Sequence, residues 1–301
     1  MFTGNALPLS SFDHRHGLAV VRDCDFSYVG KVPTRLDRRL VACSQQRQLR
    51  QALREEGIIG IITTEELAGG VPEALGLAIA EKPQAASYRL HEALCDIPDF
   101  HWERFPTRIA PDATIHPSAI VEPFDVVIGA GSRIGPGAII CARSVIGEEC
   151  AVGPGTVIGC DGFEVDTAIT PHRYLRPAGG VKIDDNVEIL ANATVARATF
   201  GGFTRLGAES KLDCLVYVAH DCDIGRRVRI AASAEMSGRV AVGDDVFVGP
   251  NCSIANGLKI GNGATLSIGA VVLKDVAANS RVTGNPAIPH EKWLVSLSTV
   301  R

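Results

Sequence analysis

The sequence of 301 residues has few aromatic side chains, which together make up 5% of it. It has no uninterrupted apolar run of eighteen residues and no amino-terminal basic segment followed by an apolar core, so neither a membrane span nor a secretory signal is expected. It also has no run of lysine and arginine, and its net charge is −4, which argues against a nucleic-acid partner. These absences predict a cytoplasmic, globular protein.

The nine cysteines include no C-x-x-C pair. An odd number of scattered cysteines argues against a disulfide framework and against a structural zinc site. We therefore expect reduced thiols, several of them buried, and no metal ligands.

An aliphatic residue recurs at every sixth position over much of the chain. The longest run is Leu206, Leu212, Val218, Ile224, Ile230, Met236, Val242, Val248, Ile254, Ile260, Leu266 and Val272. Earlier runs are Ile128, Ile134, Ile140, Ile146, Val152 and Ile158, then Ile183, Ile189 and Val195. A period of six fits neither a helix, at about 3.6 residues per turn, nor a strand, at about two. It predicts a parallel β-solenoid of triangular section, with about seven to eight coils of three hexads each.

A second inward position lies two residues before each aliphatic residue and must be small. It holds Ser132, Ala138, Ser144, Cys150, Thr156, Cys222, Ala234, Cys252, Ala264 and Ala270. Glycine often follows the aliphatic residue, as in Ile128-Gly129 and Ile224-Gly225, and we expect it to relieve the backbone at the turn. The scarcity of aromatic rings suits a narrow prism.

Residues 159–182, GCDGFEVDTAITPHRYLRPAGGVK, interrupt the repeat and are too long for a coil corner. A smaller irregularity is the spacing of eleven between Val195 and Leu206. Insertions in a solenoid form loops on one face, often the binding face. We predict that residues 159–182 form a substrate lid, with plain decoration as the alternative.

Residues before about 110 do not follow the six-residue period. The segment GIIGIITTEELAGG predicts a buried strand from Ile58 to Thr63 that leads through Thr64 into a short helix. The segment LGLAIAEKPQAASYRLHEAL predicts a strand, a proline turn and a helix with Ala85, Leu90 and Leu94 inward. We divide the chain into an α/β acceptor-recognition domain (1–108), a solenoid (109–288) and a short tail (289–301).

His220, in the stretch YVAHDCDIG, lies two residues after the inward Val218. We expect it to face outward at a prism corner, where it can reach a groove between subunits. One coil later stands Gly238, so stacking would bring a backbone N–H beside the imidazole. Acyl transfer needs a base for the acceptor's proton and a donor for the tetrahedral oxyanion. Asp221 and Asp223 are candidates to orient the imidazole, or are ordinary corner residues.

The segments IHPSAIVEPFDVVIGAGSRIG, GTVIGCDGFEV and YVAHDCDIG resemble the UDP-3-O-acylglucosamine N-acyltransferases of lipid A biosynthesis. GIIGIITTEEL and ALGLAIAEKPQAASYRLHEAL resemble that family's nucleotide-recognition domain. The resemblance implies a left-handed parallel β-helix, a homotrimer, a nucleotide-sugar acceptor and an acyl thioester donor. The candidate residues are catalytic His220, Gly238 and Asp221, substrate-binding Asp161, Gly162, Phe163, His172 and Tyr174, and donor-binding Asn256, Lys259, Lys274 and Arg281.

The chain departs from that family at several places. Val41 and Arg47 stand where the family has an aromatic pair that stacks on uracil, and no histidine lies near Asn256. The segment VVLKDVAANSRVTGNPAIP resembles acetyl-CoA-dependent sugar acetyltransferases of the same solenoid class. The donor is therefore open between acyl-CoA and acyl carrier protein, as are the sugar and the nucleotide, and no cofactor is expected to stay bound.

We predict an N-acyltransferase that moves an acyl group from a pantetheine thioester to the amine of a nucleotide-linked amino sugar. The alternatives are a noncatalytic solenoid for binding or assembly and acyl transfer to a non-nucleotide acceptor. A γ-class carbonic anhydrase would need three histidines around zinc, and no histidine accompanies His220 at a coil-compatible spacing. GPNCSIANGLKIGNGATLSIGAVV lacks the G-x-x-x-x-G-K-[ST] pattern of a phosphate-binding loop.

Overall fold

The computed structural model describes residues 4–32, 36–167, 171–284 and 290–292. Most of the predicted tail, 289–301, therefore lies outside the described residues. The amino-terminal strands are β1 (Leu7–Pro8), β2 (Ala19–Arg22), β3 (Asp25–Phe26), β4 (Tyr28–Gly30), β5 (Arg39–Cys43), β6 (Ile58–Thr63) and β7 (Gly76–Ile79). The helices are α1 (Gln46–Ala52), α2 (Glu65–Ala68) and α3 (Pro83–Cys95), with a 3-10 turn at Leu9–Phe12.

The amino-terminal strands form a five-stranded sheet in the order β2-β7-β6-β5-β4. Strands β4 to β7 are parallel and β2 is antiparallel to β7, while β1 and β3 form a separate antiparallel pair. α3 packs on β4, β5 and β6 through a face that buries Ala85, Leu90 and Leu94. The predicted α/β architecture is confirmed, and β6 has the predicted bounds. No helix of the described residues is both long and apolar enough to cross a bilayer.

The remaining strands are short and follow the six-residue repeat, apart from two in the inserted loop. They are β8 (Arg108–Ile109), β9 (Thr114–Ile115), β10 (Ile120–Val121), β11 (Val126–Ile128), β12 (Arg133–Ile134), β13 (Ile139–Ile140), β14 (Ser144–Ile146), β15 (Ala151–Val152), β16 (Val157–Cys160), β17 (Val165–Asp166), β18 (Arg173–Tyr174), β19 (Gly180–Ile183), β20 (Glu188–Ile189), β21 (Thr194–Ala196), β22 (Phe203–Leu206), β23 (Lys211–Leu212), β24 (Tyr217–Val218), β25 (Asp223–Ile224), β26 (Arg229–Ile230), β27 (Glu235–Met236), β28 (Ala241–Val242), β29 (Phe247–Val248), β30 (Ser253–Ile254), β31 (Lys259–Ile260), β32 (Thr265–Leu266), β33 (Val271–Val272) and β34 (Arg281–Val282).

These strands form three parallel sheets of eight, eight and nine strands, one for each face of a left-handed parallel β-helix. β17 and β18 are the exception, because they form an antiparallel hairpin inside the 159–182 loop. β8 already pairs with β11 of the solenoid. The boundary predicted between residues 108 and 109 falls inside this strand, and the pairing of Arg108 with Val127 places Arg108 with the solenoid. We retain the division into two domains as a proposal.

The hexad residues stack in register along the prism. Val218 pairs with Met236, Met236 with Ile254, and Ile254 with Val272, and all four are buried. Every predicted small inward position is also buried. Burial raises the pKa of the Cys222 thiol to about 12, so at neutral pH this cysteine is an inert part of the core.

Glycine serves the solenoid differently from our prediction. Gly225 follows the inward aliphatic residue Ile224 and does not have a positive φ. A Cβ at Gly225 would lie 2.6 Å from the carbonyl carbon of Gly243 in the next coil. At most corners the left-handed residue lies two positions later, for example Asp221 (φ 59°) and Gly257 (φ 72°), whereas after Ile158 it is Gly159 itself (φ 85°). The glycine after the inward aliphatic residue therefore permits close stacking of coils, and the left-handed residue that follows it forms the turn.

Candidate active site

His220 and Asp221 form a buried pair at the corner that follows β24. The His220 Nδ1 lies 2.7 Å from Asp221 Oδ2, and the two side chains are 6% and 5% exposed. The Asp221 carboxylate also accepts the Thr199 N–H at 3.2 Å, and the Asp221 N–H donates to Thr204 Oγ1 at 2.8 Å. Because the carboxylate accepts the Nδ1–H, the lone pair of the neutral ring is on Nε2.

Gly238 lies against the other edge of the imidazole, one coil further along the prism. A Cβ at Gly238 would lie 2.8 Å from both Nε2 and Cε1 of His220, so only glycine fits beside the ring as it stands. The next residue, Arg239, donates its N–H to the His220 carbonyl at 2.9 Å. Among the described residues, the Gly238 N–H has no acceptor. The predicted juxtaposition of imidazole and glycine is therefore present.

The inserted loop covers His220. A Cβ at Gly162 would lie 2.6 Å from His220 Cβ and 2.8 Å from its Cδ2, so the loop backbone rests on the ring. His220 is consequently only 5% exposed. The hexad period predicted that its side chain faces outward at a prism corner, but it does not show where an insertion folds.

A buried ion cluster holds this loop in place. The Glu164 carboxylate accepts the Tyr88 hydroxyl at 2.6 Å, pairs with Arg239 Nη1 at 3.2 Å and forms an ion pair with Lys31. Burial raises the pKa of Glu164, but Lys31, Tyr88 and Arg239 together bring that pKa below its usual value. No sequence pattern indicates this cluster, since its members come from the end of β4, α3, the loop and the solenoid and share no spacing.

The other residues predicted to bind substrate lie in the same loop, before or within the hairpin of β17 and β18. Phe163 and Tyr174 form an edge-to-face pair with ring centroids 5.8 Å apart, and they are 72% and 62% exposed. Asp161 pairs with Arg197 Nη2 at 2.8 Å, and His172 is exposed. Of this predicted group, Gly162 is the residue that the structure places against His220.

The predicted donor residues lie on three different faces of the prism. Lys259 is in β31, Lys274 follows β33 and Arg281 is in β34. Lys259 Nζ contacts Glu55 Oε1 at 3.0 Å, and Arg281 Nε donates to Ser267 Oγ at 3.1 Å. Asn256 and Lys274 are exposed. These residues do not form one cluster within a single chain.

A cavity of about 860 Å³ separates the amino-terminal sheet from the solenoid. Its charged lining comprises Arg39, Arg54, Arg239, Lys259, Asp37, Glu55, Glu56, Asp221 and Asp223. Through Asp221 and Arg239 the cavity reaches the neighbourhood of His220. Val41 is buried in the core between α1 and the amino-terminal sheet, and Arg47 is exposed on α1.

Known proteins are similar to part of this chain. A family model described as bacterial transferase hexapeptide (six repeats) matches residues 125–160. The UDP-3-O-acylglucosamine N-acyltransferase of Caulobacter sp. (strain K31) is 39% identical over 151 residues, which are 50% of this chain and 44% of that protein. Its counterpart from Methylobacterium nodulans is 34% identical over 159 residues, or 53% of this chain and 45% of that protein. The chain spans about half the length of the curated relatives it matches.

Among solved structures, the UDP-N-acetylglucosamine acyltransferase from Campylobacter jejuni has a TM-score of 0.50 and 26% identity. The match covers 59% of this chain and 72% of that one. The resemblance and the fold expected from it are thus confirmed. The chain is a left-handed parallel β-helix protein that matches the bacterial transferase hexapeptide model at residues 125–160 and is similar over about half its length to UDP-3-O-acylglucosamine N-acyltransferases.

Proposed function

We propose that this chain is an N-acyltransferase that moves an acyl group from a pantetheine thioester to the amine of a nucleotide-linked amino sugar. The observation that carries the proposal is the imidazole of His220, with Nδ1 held by Asp221 and Nε2 facing Gly238. The names of the curated relatives support the same acyl transfer.

In the proposed reaction, the acceptor amine attacks the thioester carbonyl while His220 Nε2 takes the amine's proton. The C–N bond forms, and the Gly238 N–H stabilises the tetrahedral oxyanion. The C–S bond then breaks and the imidazolium returns the proton to the departing thiolate, which leaves an amide and a free pantetheine thiol. Asp221 remains ionised and stabilises the imidazolium. Base catalysis of this kind contributes about 10²- to 10⁴-fold.

We assign the acceptor to the side of the 159–182 loop, with Asp161, Gly162, Phe163, His172 and Tyr174 as its contacts. The loop's cover over His220 supports its assignment as a lid, because exclusion of water protects the thioester from hydrolysis. The donor is an acyl-CoA or an acyl carrier protein, which arrives as co-substrate. We assign its arm to the late coils that carry Asn256, Lys259, Lys274 and Arg281.

We further propose a homotrimer in the cytoplasm. Donor residues on three faces suit grooves between neighbouring prisms, and large apolar side chains are exposed along the solenoid, including Ile268, Val271 and Leu273. The nine free cysteines suit a reducing compartment. Light scattering of the purified chain tests the trimer directly, and a monomer at working concentration would reject it.

The activity is tested by incubating the purified chain with a panel of acyl-CoA and acyl-carrier-protein donors and nucleotide-linked amino sugars, with mass spectrometry of the products. His220→Ala should reduce turnover by about 10²-fold or more. His116→Ala, at an exposed solenoid corner, is the matched control and should retain activity. Full activity in His220→Ala would refute the mechanism, and the absence of product from every pair would favour a noncatalytic solenoid.

A further inference from the structure

Two histidines and a cysteine meet where the α/β domain joins the solenoid. His91 and Cys95 lie one turn apart on α3, and His101 lies in the segment that follows. One potential ligand atom from each of the three lies within 4.8 Å of the other two. His91 and His101 are 0% and 5% exposed. No metal ligands were expected from the sequence, because an i, i+4 pair on a helix has neither the C-x-x-C motif nor a coil spacing.

The imidazoles of this cluster are buried without enough hydrogen-bond partners. Both ring nitrogens of His101 and the Nδ1 of His91 lack a partner among the described residues. The His101 ring stacks on Tyr28 and lies edge-to-face with Phe100, which offers no polar partner from either ring face. Buried polar nitrogens without partners are costly, so the site calls for a further group.

The second histidine is already oriented as metal-binding histidines usually are. His91 Nε2 lies 2.8 Å from the Arg176 carbonyl, and because a carbonyl only accepts, Nε2 carries the hydrogen. This leaves the lone pair on Nδ1, one of the unpartnered atoms, whereas the Cys95 Sγ lies 3.6 Å from Nε2 of the same ring. The Cys95 side chain must therefore turn toward Nδ1 to share an ion with it. A ring N–H held by a backbone carbonyl is the arrangement that fixes metal-binding imidazoles.

Two guanidinium groups lie near this cluster, and each has partners of its own. The Arg176 guanidinium is paired with Glu92 and Asp96, and Arg143 donates to the Pro177 carbonyl and lies near Asp125. Loss of the Cys95 proton to solvent would supply a negative charge directly to the ion. A cavity of about 370 Å³ lined by Cys95 and His101 leaves room for a water ligand.

We infer that His91, Cys95 and His101 bind a divalent zinc-type cation through two imidazole nitrogens and one thiolate, with water as the fourth ligand. Two nitrogens and one sulfur are a donor set that suits tetrahedral Zn²⁺. The ion ties the end of α3 to the segment that enters the solenoid. The site is separate from the proposed acyl transfer and does not depend on it.

The test uses the full chain, stripped of metal with a chelator and then titrated with Zn²⁺ or Co²⁺. We expect one Zn²⁺ per chain by elemental analysis and, with Co²⁺, a thiolate-to-cobalt charge-transfer band. Cys95→Ser should abolish the band and weaken binding at least about tenfold. Cys24→Ser is the matched control, since Cys24 is another partly buried amino-terminal cysteine outside the cluster, and it should keep both.

His101→Gln provides a second variant in case Cys95→Ser does not fold, with circular dichroism to verify each fold. His101→Gln should weaken Zn²⁺ binding. Zn²⁺ should raise the melting temperature of the unaltered chain and of Cys24→Ser, but not that of His101→Gln. Failure of the unaltered chain to bind either metal would overturn the inference. Binding that is equal in the unaltered chain and the folded variants would also overturn it, because the ion would then be adventitious.

Discussion

Arg239 donates from Nη1 to the Glu164 carboxylate at 3.2 Å, and Arg239 directly follows the glycine that touches the His220 ring. Lys31 and Tyr88 bind the same carboxylate from the α/β domain. Three parts of the chain thus meet at one buried acid beside the candidate active site. The cover over His220 depends on this cluster as well as on the loop's own packing.

Glu164→Gln should destabilise the fold because it leaves the buried cations of Lys31 and Arg239 without their carboxylate. Removing one partner of a buried ion pair costs about 3–5 kcal/mol. Urea unfolding measures the loss, with Glu188→Gln as the control. Glu188 pairs with Lys211 at an exposed site, where such a pair is worth about 1 kcal/mol or less. Equal losses in the two variants would contradict a special role for the buried cluster.

The same cluster predicts how stability changes with pH. The pKa of Glu164 is lower in the fold than its ordinary value, so its ionised form favours folding. That contribution is complete above the unfolded pKa, about 4.3, and is lost as pH falls through the lower folded pKa. The difference in unfolding free energy between the unaltered chain and Glu164→Gln should therefore shrink on acidification from pH 7. A difference that does not change with pH would count against this explanation.

Asp221→Asn should lower kcat by about 10²- to 10⁴-fold while the chain stays folded. The amide can present its NH₂ group to Nδ1, which would move the ring hydrogen to Nε2 and remove the base. Asp245→Asn is a matched control, because Asp245 has a similar left-handed φ, 61° against 59°, at a corner where it pairs with Arg227. Steady-state kinetics on both variants measures the effect, and equal kcat values would exclude an orienting role for Asp221.

Much of the solenoid could be predicted from the sequence because each hexad repeats an inward aliphatic position and a small position two residues before it. Val218, Met236 and Ile254 are inward for the same reason, and in a parallel coil register follows directly from the period. The spacing of one coil likewise predicted that Gly238 would lie beside His220. Strand β6 could be predicted from its continuous apolar run.

The covered site could not be predicted in this way. Leu175 of the loop is buried with Tyr88 of α3 and Phe200 of the solenoid, so the loop's position depends on side chains that no period connects. The Glu164 to Arg239 contact spans 75 residues for the same reason. Contacts between segments that share no repeat can be identified only from the three-dimensional structure.

Gly238→Ala distinguishes an effect on kcat from an effect on the stability of the fold. No positive φ is found at Gly238, so the backbone accepts alanine, but the new Cβ would lie 2.8 Å from His220 Nε2 and must displace the ring or the coil. Loss of an aligned oxyanion donor and base should lower kcat by about 10²- to 10³-fold. Gly69→Ala, where a Cβ meets nothing within 4 Å, is the control and should leave kcat unchanged. Steady-state kinetics and thermal melting are measured on both variants. A folded Gly238→Ala chain with unaltered kcat would show that close approach of this glycine to the imidazole is not needed for turnover.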